Sequence, residues 1–389
     1  LQTVVPAVKG IDEELLLSAV TEGILLSNYS FSKYFFKKEK SFSPDELVLI
    51  SNSSSAKSII ERSAVICENV QICRNLVNDT SDNTNPEQLV RYAQTVAKKC
   101  KLKIKVFNAG KIEKMGMGLL TAVGRGSANG PFFVILSYNG NLKSKKSMAV
   151  IGKGVTFDSG GLNLKTSGHI EDMRSDMAGA AAALCAIKTA AELKLRINIH
   201  AVLPLTENMI NNSSYRPGDV FKAYNGTTVE IANTDAEGRL ILADAVSYTA
   251  RNIKPSYIVE MSTLTGACIT AFGEIYAASI TSGGMIDDLL SASSEATSEK
   301  IWKMPTDPEF EEDMKSDIAD LRNVNPERKA GTIFGGSFIL SFAENIPFAH
   351  LDIAGTSWYS KERGYRPKYA TGYGVRLIVE LVSRISRHI

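Results

Sequence analysis

The stretch PFFVILSYN (131–139) and its successor MAVIGKGVTF (148–157) decide the fold. Both are near-continuous apolar runs, the pattern of strands covered on both faces. The second is followed by MAGAAAALCAIKTAAELK (177–194), rich in the strongest helix formers, and then by the strand-like INIHAVLPLT (197–206). Working outward, the alternation continues. A helix is predicted over 56–77, and Pro86 opens another at PEQLVRYAQTVAKK, where its missing N–H costs nothing. IKVFNA (104–109) is a strand. Downstream come a helix at 237–252, strands at 256–262 and 348–353, and a C-terminal helix at about 372–386. Strands alternating with helices predict an α/β fold, a mostly parallel or mixed central sheet sandwiched by helices.

The front of the chain reads differently. Residues 11–38 carry apolar residues at three- and four-residue steps and predict a helix, DELVLI (45–50) a short strand, and SNSSS a connector. Residues 1–55 therefore read as the C-terminal part of a smaller α/β domain plus linker, and 56–389 as the main domain. The segment 284–330 is charged and helical in parts, an excursion near the surface. The chain opens LQTVVPAVKG, with no basic-then-apolar leader. No run of 18 uncharged apolar residues suggests a membrane span.

Composition narrows the function. Of 389 residues, 44 are Lys or Arg and 42 Asp or Glu, so the formal charge of +2 gives no reason to expect a nucleic-acid binder. Five cysteines lie far apart without a C-x-x-C pair, which argues for buried thiols in a reducing compartment rather than disulfides or a thiolate zinc site. Asn28-Tyr29-Ser30 and Asn225-Gly226-Thr227 match the glycosylation pattern, a motif that chance supplies freely. Only four histidines exist. His200 and His350 lie in or beside predicted strands and read as structural, His388 as a terminus, and His169 as a residue near the interesting loop. Ser159 lacks a nucleophile-elbow context.

The carboxylates say more. In VIGKGVTFDSGGLNLK (150–165), Lys153 and Asp158 flank a strand end, where open α/β sheets bind ligands, and Gly160 and Gly161 allow close backbone approach. Lys165 follows. Asp176 precedes the Ala-rich helix and, alone, reads as an ordinary acidic residue at a helix start. In VEIANTDAEGRLILADAV (229–246), Asp235 and Glu237 project to one side of an extended segment, and Arg239 enters the next helix. Two acids aimed one way repel unless a cation intervenes. Asp158, Asp176, Asp235, Glu237 and a neutral Lys153 suit two divalent metals, and so metal-assisted hydrolysis. A phosphate site would want G-x-x-x-x-G-K-[ST], and the order here is wrong.

These segments strongly resemble the leucyl aminopeptidase family of dizinc exopeptidases. The octapeptide Asn233-Thr234-Asp235-Ala236-Glu237-Gly238-Arg239-Leu240 matches its signature in full. VGKG-x-x-FDSGG is present with Ile for the first Val, as is M-R-x-D-M around Asp176. The resemblance implies that Asp158 and Glu237 bridge the metals, that Asp235 completes the exchangeable site, and that Lys153 and Asp176 complete the tighter one. It further implies that Lys165 stabilises the oxyanion and that Arg239 holds a bicarbonate proton shuttle. The resemblance also implies that a hydroxide activated between the metals would attack the first peptide carbonyl. Zn²⁺ is implied, with Mn²⁺ or Co²⁺ at the exchangeable site. An S1 pocket drawn from Met173, Thr263, Gly266, Ala354 and the neighbourhood of Ser357 implies Leu and other hydrophobic first residues. Thr166, Ile170, Ser357 and Trp358 depart from commoner family residues and bear on fine preference, not on the reaction. The family further implies short peptides with a free N-terminus as partners, a homohexamer built as a dimer of trimers, and the cytoplasm. The competing expectation, a catalytically silent scaffold or nucleic-acid-binding member, would be favoured by a lost ligand; none is lost.

Overall fold

The computed structural model describes residues 2–4, 10–36, 46–327 and 329–387. His388 lies outside the described residues. From the N-terminus come β1 (Gln2–Val4), α1 (Glu13–Ser27), β2 (Val48–Ile50), α2 (Ala56–Asn78), α3 (Pro86–Cys100), β3 (Lys103–Asn108), α4 (Ala109–Lys114), α5 (Gly118–Gly124) and β4 (Phe132–Asn139). The middle holds β5 (Met148–Gly152), β6 (Gly154–Asp158), α6 (Ala178–Glu192), β7 (Asn198–Asn208), β8 (Val220–Lys222), β9 (Thr228–Glu230), α7 (Glu237–Tyr248) and β10 (Tyr257–Ser262). The remainder is α8 (Gly266–Phe272), β11 (Ala277–Thr281), α9 (Met285–Thr297), β12 (Ile301–Lys303), α10 (Glu309–Glu312), β13 (Leu321–Arg322), α11 (Gly331–Leu340), β14 (Phe348–Asp352), β15 (Trp358–Tyr359), β16 (Tyr369–Ala370) and α12 (Val375–Ile385).

Nine strands form the central sheet in the order β12-β11-β14-β10-β5-β7-β4-β3, with β6 pairing β7 beyond the end of β5. The middle strands β14, β10, β5 and β7 run parallel, while β11 and β4 are antiparallel to their inner neighbours. The sheet is thus mixed with a parallel heart, as the alternation predicts. Both faces are covered. On one, α2, α3, α6 and α12 bury Val70, Leu89, Leu184 and Leu377; on the other, α5, α7 and α11 bury Leu120, Leu240 and Phe338.

Local chemistry explains the boundaries. Asn85 caps α3 by accepting the Gln88 N–H, Pro86 occupies its first turn, Lys98 and Lys99 meet its C-terminal dipole, and Lys101 ends it in a left-handed conformation. The alanines of α6 are buried from Ala178 to Ala190, so small side chains let the helix lie close on the sheet. The N-terminal helix ends at Ser27 rather than 38.

One departure positions the site. MAVIGKGVTF is not one strand. It breaks at Lys153, whose N–H turns to Met261 O (3.0 Å) and whose carbonyl accepts Ala180 N–H (2.9 Å) at the start of α6. The break frees the Lys153 side chain to leave the ladder at the C-terminal edge of the parallel strands. The short β8, β9 and β13 form a separate three-stranded sheet. Residues 284–330 are less of a surface excursion than their charge suggests, because α9 buries Ile286 and Leu290 in the core and β12 joins the edge of the central sheet. No helix among the described residues is long and apolar enough to cross a membrane.

Candidate active site

Every acidic residue singled out above arrives at the C-terminal edge of the parallel strands. Asp158 ends β6, Asp176 lies just before α6, and Asp235 and Glu237 flank the start of α7. They line a cavity of about 490 Å³ together with Lys153, Lys165 and Arg239. The turn at Gly160 makes this possible: its φ of 85° is left-handed, and a Cβ there would meet Asn163 O at 2.5 Å.

The Lys153 Nζ lies 2.8 Å from Asp176 Oδ1, 2.9 Å from Glu237 Oε1 and 2.9 Å from Thr263 O. Lys165 Nζ lies 2.9 Å from Asp158 Oδ2 and 2.5 Å from Asp235 Oδ1. Two ammonium groups therefore stand side by side, each pinned between two carboxylates. Asp158, Asp235 and Glu237 bring one oxygen apiece within 4.8 Å of one another.

Four carboxylates face two lysines here, with Asp158, Asp176 and Glu237 buried and Asp235 a third exposed. Burial, with Asp158 beside it, pushes Glu237 up to about 8. Burial likewise lifts Asp176 to about 6, against the pull of Lys153, and raises Asp235. Burial works to lower both lysines, yet the surrounding carboxylates hold each above its ordinary range. Asp176 Oδ2 is buried without a hydrogen-bond partner. An orphaned carboxylate oxygen, excess negative charge and clustered oxygen donors are the chemistry that divalent cations satisfy, so the residues fit a metal pair.

A ring of polar residues that local sequence does not reveal holds this geometry. Asn208, at the end of β7, donates to Asp158 Oδ1 (2.8 Å) and Thr234 O (3.0 Å). Thr234 Oγ1 donates to Gly160 O (2.7 Å) and accepts from Asn163 N (2.8 Å). Asn323 accepts the N–H groups of Ala232 and Asn233 and donates to Asn233 O, bracing the loop that carries Asp235. Asn208 could have been suspected from its place at a strand's C-terminal end. Asn323 could not, because it lies in the charged excursion.

Arg239 is buried. It donates to Asn323 O (2.7 Å) and lies over the Phe334 ring, while its Nε has no partner. Burial lowers it to about 10, with Glu237 and Asp352 acting the other way. A buried guanidinium with unspent donors at a cavity wall fits a small anion. Met173, Thr263, Gly266 and Ala354 also line the cavity, as does His169; Ser357 is buried and is not among the lining residues. His350 pairs with Glu260 at 2.5 Å inside the sheet, and His200 Nδ1 lies 2.8 Å from Ser137 Oγ, so both are structural.

Residues 71–379 match the model of the cytosol aminopeptidase family, catalytic domain. The chain belongs to the cytosol aminopeptidase family. Its relatives include probable cytosol aminopeptidases of Protochlamydia amoebophila (strain UWE25), 40% identical across 99% of this chain and 78% of the relative, and of Chlamydia felis (strain Fe/C-56), 42% identical across 96% and 76%. Among solved structures, the bottromycin maturation enzyme BotP in complex with Mn superposes with a TM-score of 0.92 at 30% identity, covering 99% of this chain and 84% of that one. Cytosol aminopeptidases are dimetal enzymes, and this member is accordingly a metalloprotease of the aminopeptidase type, acting on peptides.

Proposed function

We propose that this cytosol aminopeptidase removes the first residue of short peptides, preferably Leu or another hydrophobic residue, at a two-metal centre. The observation that carries the reading is the pair of ammonium groups, each held between two carboxylates where cations belong. Asp158 and Glu237 would serve both metals, Asp235 would hold the exchangeable one, and Lys153 and Asp176 the tighter one. Zn²⁺ is the proposed metal, with Mn²⁺ or Co²⁺ at the exchangeable position. When bound, the pair supplies Lewis acidity toward a carbonyl oxygen and a water acidic enough to ionise near neutrality.

The chain's own groups do the rest. The surplus of acid side chains draws a free N-terminal amine and disfavours an acylated one. Lys165, 15% exposed at the cavity wall, donates to the scissile carbonyl oxygen as it gains charge. Arg239 holds bicarbonate, which supplies a proton relay when bound. Water adds across the first peptide C–N bond: the carbonyl carbon takes OH and the leaving amine takes the proton. Met173, Gly266 and Ala354 offer the first side chain an apolar wall. Such a pocket separates one methylene by only about 1–3 kcal/mol, so the preference is broad.

The test is hydrolysis of a leucine chromogenic amide before and after chelation, with Zn²⁺, Mn²⁺ or Co²⁺ added back. Activity that disappears with chelator, returns with metal and spares the N-acetylated amide is expected; turnover indifferent to chelation sinks the reading. We further propose that residues 1–55 are the end of a smaller N-terminal domain joined to the catalytic domain at 56–389. The proposed assembly is a homohexamer, a dimer of trimers, in the cytoplasm, where the five free thiols are at home. Sedimentation as a stable, active monomer would exclude the hexamer.

A further inference from the structure

Two separate segments wall the apolar side of the cavity: the turn 263–266 after β10 and Ala354 after β14. One fully buried side chain ties them together. Asp352, the last residue of β14, accepts Leu264 N–H and Ala354 N–H on Oδ1, both at 3.2 Å, and the Thr265 hydroxyl on Oδ2 at 2.6 Å. The turn it holds also reaches the metal ligands. Thr263 O receives Lys153 Nζ, and Thr263 Oγ1 donates to Asp176 Oδ1 at 2.6 Å. Asp352 touches neither the reacting atoms nor the metal ligands.

We propose that Asp352 is the positioning residue for the first-residue pocket, setting the distance between its two walls and so its discrimination among first side chains. The inference rests on the aminopeptidase reading for the identity of that pocket. Chemistry dictates which replacement is tolerated. Removing the carboxylate leaves two partly buried N–H groups unpaired and takes from the Thr265 hydroxyl its present acceptor, and the walls move to find partners. An asparagine can keep both N–H groups on its oxygen and donate its amide to Thr265 Oγ1. The Thr265 hydroxyl then turns to Thr332 Oγ1, 3.0 Å away, reversing the direction of that bond. Rescue by asparagine therefore requires Thr332.

The test compares Asp352→Ala, Asp352→Asn, Thr332→Val and the double variant Asp352→Asn/Thr332→Val, all metal-loaded. The readout is the ratio of kcat/KM for leucine and alanine chromogenic amides. Asp352→Ala and the double variant are expected to lower this ratio about tenfold or more, through KM for the leucine substrate, while each conservative single variant stays within about threefold. Loss of the negative charge near Arg239 acts on both substrates alike, so the ratio isolates the wall. Hydrogen exchange read at Leu264 and Ala354 should quicken in Asp352→Ala and hold in Asp352→Asn. Should the alanine variant not fold, the asparagine and double variants carry the comparison. An unchanged ratio in the double variant, or exchange at both segments indifferent to Asp352, overturns the proposal. If the wild-type protein cleaves no aminoacyl amide, the proposed function falls, and exchange alone still decides whether Asp352 braces the two walls.

Discussion

A methyl group on Gly238 would lie 2.7 Å from Cε of Lys153 and 2.8 Å from its Nζ. Gly238 is thus the space through which the lysine reaches Asp176 and Glu237. Its neighbour in the clash is the far end of a flexible side chain, so Gly238→Ala should fold. Alanine even favours the helix by about 1 kcal/mol. The end of the lysine, however, must shift from its place between Asp176 and Glu237. We expect unchanged or slightly higher thermal stability, metal content falling from two ions toward one, and turnover reduced at least about tenfold. Elemental analysis beside a melting curve checks this; full metal content with full activity would refute it.

Asn208 holds Asp158 through Nδ2 while its Oδ1 is left without a partner. Its role is to point a carboxylate, and such outer partners commonly set metal affinity by about 10–100-fold. Asn208→Ala should weaken metal retention by that order in a chelator competition, with a smaller effect on kcat once metal is saturating. Equal affinity in the two proteins would show that Gly160 N–H, the other donor to Asp158 Oδ1 at 2.9 Å, suffices.

The sheet's heart and the gathering of the acidic residues were legible because both are written locally. Apolar runs longer than alternation allows mark β4, β5 and β7, and each acid sits where a strand ends or a helix begins. The break at Lys153 was not legible, because an apolar run carries no mark of where its hydrogen bonds change partner. Nor was the part played by Asn323 or Asp352. Each acts on residues about 90 positions away, and a lone polar residue in sequence does not state what it will face. Ser357 illustrates the same limit from the other side: Ala354, three residues before it, lines the cavity, yet Ser357 itself is buried and does not.

His200 gives the protein a dependence on pH away from the active site. Burial, and Lys105 secondarily, push its imidazole down to about 4 from an ordinary value near 6.5. In the unfolded chain it takes up a proton as pH falls below about 6.5, while in the fold it resists until about 4. Its contribution is therefore present above the unfolded value and lost on acidification through that window. Between pH 7 and pH 5 this should cost about 2 kcal/mol. Urea melts of wild type and His200→Gln at the two values test it: the variant should lose less, and parallel losses would assign the acid sensitivity elsewhere.

Arg74 ties the front of the chain to its end. Its guanidinium, 1% exposed, donates to Leu26 O at 2.7 Å, Thr371 O at 2.9 Å and Tyr365 O at 3.2 Å, and lies over the Tyr29 ring. Burial lowers it to about 10, still charged at neutral pH. Arg74→Met fills much of the volume but leaves three carbonyls without their donor, one from α1 and two from the segment leading into α12. Each unsatisfied buried group costs about 1–3 kcal/mol, so a loss of roughly 3 kcal/mol or more in urea unfolding is expected. Arg74→Lys retains one charge but not the planar fork and should fall between. Because the residue does not line the cavity that holds the clustered carboxylates, kcat of the folded fraction should stay within about twofold. A variant that keeps its stability would mean that apolar packing and the Glu22–Arg376 ion pair suffice to hold α1 against α12.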